Sequence, residues 1–400
     1  MSITEPPQLQ ESTSEASFEK EVIKQSAMDS EEDFQDEYVP TQQGNSLREA
    51  VHIADSEKET SIFSSFKGIV VTTIALTEVG NGRVRFNEQD DNGLEGAFLK
   101  DISMVSDPDQ VDEGNREFEA TIVDTKEAME IIKRGFGFEN DDSSKNENDA
   151  IPLFIIHGYH VEPSISLKFP LENFKAQMKY YPILVMWATG GGYLNDQKTV
   201  AMNAADALSA LVGTIPDHYF PKKSLLMHSM GNHVVFNGAC ANGTPEVEFE
   251  NIYMVAADVP HDIFHKNPSE SYFCRDSVSG NKAIKADNFW GLLKKDEHVK
   301  PVGKVYIIHN ENDKALAGSC LLNKDHRLGK KGACWVDGWC GNHYSTDVIR
   351  EDFQLYIENI DVSDQIFTGK TEKTEHGYHL LPWMIDIYEA TATGGYLYYE

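Results

Sequence analysis

The chain has 400 residues, enough for one large domain or two ordinary ones, and 40% are hydrophobic, so a sizeable core can be buried. A formal net charge of −30 argues against a nucleic-acid-binding surface, because phosphates would be repelled. The 5 cysteines are odd in number and lack CxxC spacing, which supports neither a disulfide framework nor a zinc site.

The acidity sits at the front. Residues 1–150 hold 35 acidic and 13 basic side chains, against 30 and 22 in the rest. Residues 1–60 combine acidic runs with Ser and Gln and read as a disordered segment, too poor in apolar side chains to offset its ordering entropy. The start, MSITEPPQLQ, lacks the basic and apolar regions of a secretion signal, and no stretch approaches a membrane span. The expected compartment is therefore cytoplasmic. Asn242-Gly-Thr forms a glycosylation sequon with no secretion signal to give it meaning. Free thiols are expected, although Cys334 and Cys340 are close enough in sequence to pair.

Residues 61–150 hold strands and loops that read as the start of a larger sheet. The β-branched run 67–76 predicts a strand, 115–124 a second, and 125–134 a helix capped by Asp124 or Thr125. The polar run 139–149 reads as an exposed break.

Residues 151–390 change character. Short apolar runs at 151–156, 183–187, 224–228, 252–256 and 305–309, with a weaker one at 333–336, alternate with helix-like stretches. The clearest helix is 196–212, where Val200, Ala204, Leu208 and Leu211 share one face. Continuous apolar runs predict strands buried on both faces, and strand–helix alternation predicts a mostly parallel sheet flanked by helices. Residues 261–301 exceed a single helical crossover and are a candidate cap, with Phe264, Tyr272, Phe273, Phe289 and Trp290 as apolar lining.

The segment KSLLMHSMGNHVVFNGA, 223–239, carries the chemistry. A buried strand ends at His228, Ser229 follows, and a helix begins at once. Such a turn lifts the serine hydroxyl above the sheet edge, beside the N–H groups and positive end of the helix. The motif departs from G-x-S-x-G at Met227, where a small residue is usual. A serine capping an ordinary helix is the plainer alternative. The triad partners should follow in the order acid, then histidine. Asp313, in the loop after the 305–309 run, is the favoured acid and Asp258 its competitor; either could simply cap a turn. The favoured base is His343, in a Gly-containing loop after the last predicted core strand, with His376 and His379 of EHGYH as rivals. The oxyanion donors are expected at Tyr159, in HGYH, and Met230. Gly158, Trp187 and Tyr344 are expected at the substrate. The run Gly190–Gly192 lacks the lysine of a phosphate loop and reads as a pocket wall.

Several blocks in order, FIIHGYH, VMWATGGG, HSMGNHVV, VAADVPHDIF, YIIHNENDKAL and GNHYS, resemble a family of α/β-hydrolases known mainly as lipase/esterase-like proteins of unknown function. The resemblance covers residues 151–347 and implies the α/β-hydrolase fold with Ser229, Asp313 and His343 as triad. This chain departs from it at Met227 and in an Asn342 inserted beside His343. The expected activity is hydrolysis of a small-molecule carboxylic ester or related acyl bond through an acyl-enzyme, with no metal or cofactor. The alternatives are a non-catalytic scaffold of the same fold that binds a partner, and a nucleotide-binding protein using the glycine run. Substrate identity and oligomeric state are not legible.

Overall fold

A computed structural model of the chain describes residues 69–87, 97–104, 117–134, 151–159, 161, 179–189, 192–201, 203–205, 222–241, 248–265, 273–276, 280–283, 303–323, 326–333, 335–336, 343–344, 349, 351, 354–367 and 376–392. The acidic segment 1–60, the break 139–149, Gly190, Gly191, Cys334, Cys340 and much of the candidate cap lie outside them.

The strands, in chain order, are β1 (Ile69–Thr72), β2 (Ala75–Gly80), β3 (Arg83–Asn87), β4 (Ala97–Met104), β5 (Phe118–Val123), β6 (Ile151–Ile156), β7 (Tyr180–Met186), β8 (Ser224–His228), β9 (Asn251–Val255), β10 (Phe273–Asp276), β11 (Gly280–Ala283), β12 (Lys304–His309), β13 (Trp335–Val336), β14 (His343–Tyr344) and β15 (Ile357–Asp361). The helices used below are α1 (Thr125–Arg134), α2 (Gly231–Ala241), α3 (Lys314–Asn323) and α4 (Pro382–Ala392).

One 11-stranded sheet runs in the order β15-β12-β9-β8-β6-β7-β1-β4-β5-β3-β2. From β15 to β1 every neighbouring pair is parallel. From β1 to β2 every pair is antiparallel. Strands β6, β7, β8 and β9 are buried along their whole length, as helices on both faces of a parallel sheet require. Each such Ile, Leu or Val contributes roughly 1.5–3 kcal/mol of burial.

Two differences from the sequence expectations have physical causes. The single strand expected at 67–76 is two strands, because the Ile74 N–H folds back onto Thr72 Oγ1 at 3.0 Å and the chain turns. β1 then enters the sheet interior while β2 forms its edge. At the other edge, the 333–336 run contributes only β13, which pairs with β14 in a separate two-stranded ribbon. The last strand of the main sheet is β15, IENID, in which only Ile357 and Ile360 are buried. An edge strand shields little apolar surface, so its sequence lacks the apolar run that marks the inner strands. The helix expected from Asp196 begins earlier, at Tyr193, and passes through a π-helical turn over Asp196–Val200. Among the described residues no helix is long and apolar enough to cross a membrane.

Candidate active site

The turn between β8 and α2 is held tightly. Ser229 has φ of 51°, a left-handed conformation that costs a non-glycine residue about 1–2 kcal/mol. Its backbone bonds fix that conformation. Ser229 N–H donates to Val255 C=O at 3.0 Å, and its carbonyl accepts from Asn232 N–H at 3.2 Å and Asp258 N–H at 3.2 Å. The buried Asn232 side chain adds a donor to the same carbonyl at 2.9 Å and reaches Met227 C=O at 3.3 Å. A Cβ on Gly231 would stand 2.5 Å from His157 O and 2.8 Å from Ile156 O, so only glycine lets α2 start this close to β6. Met227, where the motif prefers a small residue, is fully buried in the core. Among the described residues Met230 N–H has no backbone acceptor and opens the N-terminus of α2, where a developing oxyanion is favoured.

The serine hydroxyl meets an imidazole. Ser229 Oγ–H donates to His376 Nε2 at 2.9 Å. His376 Nδ1–H donates to Asp313 Oδ2 at 2.7 Å. Asp313 is fully buried, whereas the His376 side chain is 26% exposed, so the ring has both a fixed partner and an open side. Burial disfavours the charged His376. The charge and hydrogen bond of Asp313, with Asp258 behind, more than offset this and leave its pKa above the ordinary histidine value. The loop that carries the ring is tied down by Tyr378, whose hydroxyl donates to Ile308 C=O at 3.2 Å, and by Tyr388, whose hydroxyl donates to His379 C=O at 2.8 Å.

The imidazole at Ser229 is thus that of His376, where the sequence favoured His343. His343 lies on β14, paired with Val336 in the separate ribbon. The expectation failed with the strand that supported it: the last strand of the main sheet is β15, and the histidine that returns to Ser229 after that strand is His376. Asp313 lies in the loop after β12, as expected, and also caps α3 by accepting Leu316 N–H on Oδ1 at 2.8 Å. Its competitor Asp258 is committed elsewhere. It pairs with Arg327 Nε at 3.1 Å and accepts hydrogen bonds from Tyr193 and Ser319, all in the interior.

Trp187, expected at the substrate, lies in the interior. Its ring is 1% exposed, stacks on His157 with centroids 5.8 Å apart, and its indole N–H donates to His157 C=O at 2.9 Å. A large apolar ring after an inner strand went to the core, the commoner fate. Gly158 packs under Ser229: a Cβ there would stand 2.8 Å from Ser229 Cβ and 3.0 Å from His228 Nδ1. Tyr159 follows it, partly buried, edge-on to Tyr193 at 5.6 Å. Tyr344 lies on β14, opposite Trp335.

Other buried imidazoles surround the elbow. His228 stacks on His379 with centroids 3.8 Å apart and lies 4.8 Å from His376. Burial lowers the pKa of His157 and His233 to about 4 and of His379 to about 3, and holds His228 well below the ordinary value. All four are neutral near pH 7, and His376 alone of this group is shifted upward. Among the described residues no group of 3 or more His, Cys, Asp or Glu side chains is arranged to hold a metal ion.

Residues 139–337 match the family described as alpha/beta hydrolase of unknown function (DUF900). No curated protein matches the chain. Among solved structures it is similar to a protein named as a hydrolase from Agrobacterium vitis S4, with TM-score 0.32 and 12% identity over 62% of this chain and 88% of that one. It is also similar to a gene product from Listeria innocua, with TM-score 0.30 and 13% identity over 62% and 96% of the two chains. A third similar structure is a lipase-esterase related protein from Clostridium acetobutylicum ATCC 824, with TM-score 0.29 and 13% identity over 62% and 95%. The matched segment holds the Ser229 turn and Asp313, within a largely parallel sheet ordered around β8; the chain has an α/β-hydrolase fold and resembles a family whose function is unknown.

Proposed function

We propose that this protein is a serine hydrolase that cleaves a small-molecule carboxylic ester or related acyl bond through an acyl-enzyme. Ser229 Oγ attacks the substrate carbonyl carbon while its proton passes to His376 Nε2. Asp313 holds the Nδ1 proton and stabilises the imidazolium that forms. The developing oxyanion is received by backbone N–H groups of Met230 and Tyr159. Collapse of the tetrahedral species breaks the bond to the leaving group, and His376 returns its proton to that group. Water then enters, loses a proton to His376 and releases the acid, regenerating Ser229. No step draws on a cofactor.

The observation that carries this reading is the relay from Ser229 through His376 to Asp313, at 2.9 and 2.7 Å. A serine that merely capped α2 would have no need of an imidazole, itself oriented by a buried carboxylate.

The test is labelling of the full chain by a fluorophosphonate probe, followed by peptide mapping. The expected result is modification at Ser229 in the wild type and none in Ser229→Ala. A non-catalytic binding scaffold of the same fold would leave Ser229 unmodified, and that outcome would remove the proposal.

A further inference from the structure

Two adjacent residues of the elbow grip the same histidine. Ser229 meets the side chain of His376, at Nε2, 2.9 Å away. His228, one residue earlier, meets its main chain: Nε2 of His228 lies 3.0 Å from the His376 carbonyl oxygen. A carbonyl can only accept, so His228 carries its proton on Nε2 and leaves Nδ1 bare. We infer that His228 is a positioning residue of the site, a neutral imidazole whose Nε2–H holds the His376 carbonyl and thereby fixes the ring that faces Ser229. The inference rests on the serine-hydrolase reading above.

The choice of residue at 228 supports it. The other four residues of β8, Ser224, Leu225, Leu226 and Met227, are buried, and His228 is buried with them. Packing alone would favour an apolar side chain there. The imidazole instead leaves a buried nitrogen unsatisfied, because Nδ1 has no hydrogen-bond partner among the described residues. A residue that breaks the rule for buried polar atoms at a functional site points to a compensating role. The Nε2 contact to His376 is such a role.

The surroundings keep the donor in place. The ring is sandwiched by His379, at 3.8 Å and 11° between planes, and its Nδ1 edge abuts Gly158, where a Cβ would stand 3.0 Å away. It cannot swing without displacing the loop that carries His376 or the backbone next to Ser229. The groups facing it, His157, His376 and His379, include one that must become charged in the reaction. The Asp313 carboxylate serves that charge, and a neutral His228 does not oppose it. Displacement of a catalytic group by about 1 Å can lower a rate about 100-fold. The hold on the His376 main chain should therefore register in turnover rather than in substrate binding.

The experiment compares His228→Leu, His228→Gln and His228→Asn with the wild type in ester hydrolysis. The same samples give the low-field proton signal of His376 Nδ1–H by NMR. Leu removes the donor and keeps the bulk. The Gln amide nitrogen sits where the imidazole Nε2 does, whereas the Asn amide is too short to reach. Expected are a roughly 10- to 100-fold loss of kcat in His228→Leu and His228→Asn, with KM changed less than about twofold, a weakened Nδ1–H signal, and recovery to within about fivefold of wild type in His228→Gln. Wild-type kcat in His228→Leu, or equal rates in His228→Gln and His228→Asn, would overturn the inference. If His228→Leu is insoluble, the Gln–Asn comparison decides alone. An inactive wild type that shows the Nδ1–H signal would count against the serine-hydrolase reading; the signal's response to Gln and Asn would still decide the positioning role.

Discussion

Asp313 takes the Nδ1–H of His376 on one carboxylate oxygen, at 2.7 Å, while its other oxygen accepts the Leu316 N–H that starts α3, at 2.8 Å. The plain reading of a loop-end aspartate as a helix cap and the functional reading as a triad acid are both satisfied by one side chain. The two roles separate by substitution. Asp313→Asn keeps an oxygen for the cap but ceases to be the anionic acceptor that His376 needs, and should lower kcat by about 10⁴-fold with little loss of stability. Asp313→Ala should lose activity to a similar degree and, in addition, about 1 kcal/mol of stability with the cap. Thermal melts beside ester kinetics check this. Equal stability in the two variants would refute the capping role, and an active Asp313→Asn the catalytic one.

The pH profile follows from the charges on His376. The base works only when neutral, and its pKa lies above the ordinary histidine value of about 6.5. The acid limb of kcat/KM for the wild type should therefore have its midpoint above about 6.5. With Asp313 replaced by Asn, burial is no longer outweighed, and the limb of the residual activity should move to lower pH. A profile measured from pH 5 to 9 on both proteins reads the shift. A limb that stays put would mean that Asp313 does not act on the titrating group.

Acid should unfold this protein early. His157 and His233 are held at about 4, His379 at about 3, and His228 well below its ordinary value, all chiefly by burial. Below pH 6.5 the unfolded chain binds protons at these sites and the folded chain does not. Stability is then lost on acidification, by about 1.4 kcal/mol per pH unit for each group, until the folded pKa is reached. His376 has the opposite shift. Its contribution is already complete below about 6.5 and is lost only as pH rises through its folded value, so it cannot compensate in the acid window. Urea midpoints at pH 7 and pH 5 should differ by several tenths of a molar or more, with an unchanged slope. Identical midpoints would contradict the burial of neutral imidazoles.

Glycines at two close approaches should prove intolerant in different ways. Gly231→Ala drives a methyl against two backbone oxygens of the β6 end, at 2.5 and 2.8 Å, where nothing can give cheaply. It should destabilise by about 1–3 kcal/mol. Gly158→Ala meets Ser229 Cβ at 2.8 Å and should displace the nucleophile itself. Its larger effect should be on the rate of fluorophosphonate labelling, by tenfold or more, with a smaller change in melting temperature. Labelling at the wild-type rate in Gly158→Ala would show that the serine is not held from below.

The inner sheet was legible because its chemistry is unambiguous. LLM of β8, FII of β6 and VYIIH of β12 are apolar without alternation, and a strand buried on both faces has no other composition available. The elbow was legible because a serine between such a strand and an immediate helix has few structural readings. What failed was the edge. β15 buries only Ile357 and Ile360 and reads as a polar loop, which leaves 333–336 as the last legible core strand and His343 as the histidine after it. The signal for His376 was present in its context, HGYHLLPWMIDIYEA: a histidine in the short loop that leads into the helix α4, which packs its buried Met384, Ile385, Ile387 and Tyr388 into the core. The placing of Trp187 was hidden for a related reason, since a ring at a strand end can face either an open site or the interior and sequence alone does not say which.

If His376 rather than His343 serves Ser229, the two histidines should differ sharply on substitution. Hydrolysis of a short-chain p-nitrophenyl ester by wild type, His376→Ala and His343→Ala distinguishes them. Expected are a loss of at least about 10³-fold in kcat for His376→Ala and a rate within about threefold of wild type for His343→Ala. A fully active His376→Ala, or an inactive but folded His343→Ala, would contradict the role of His376.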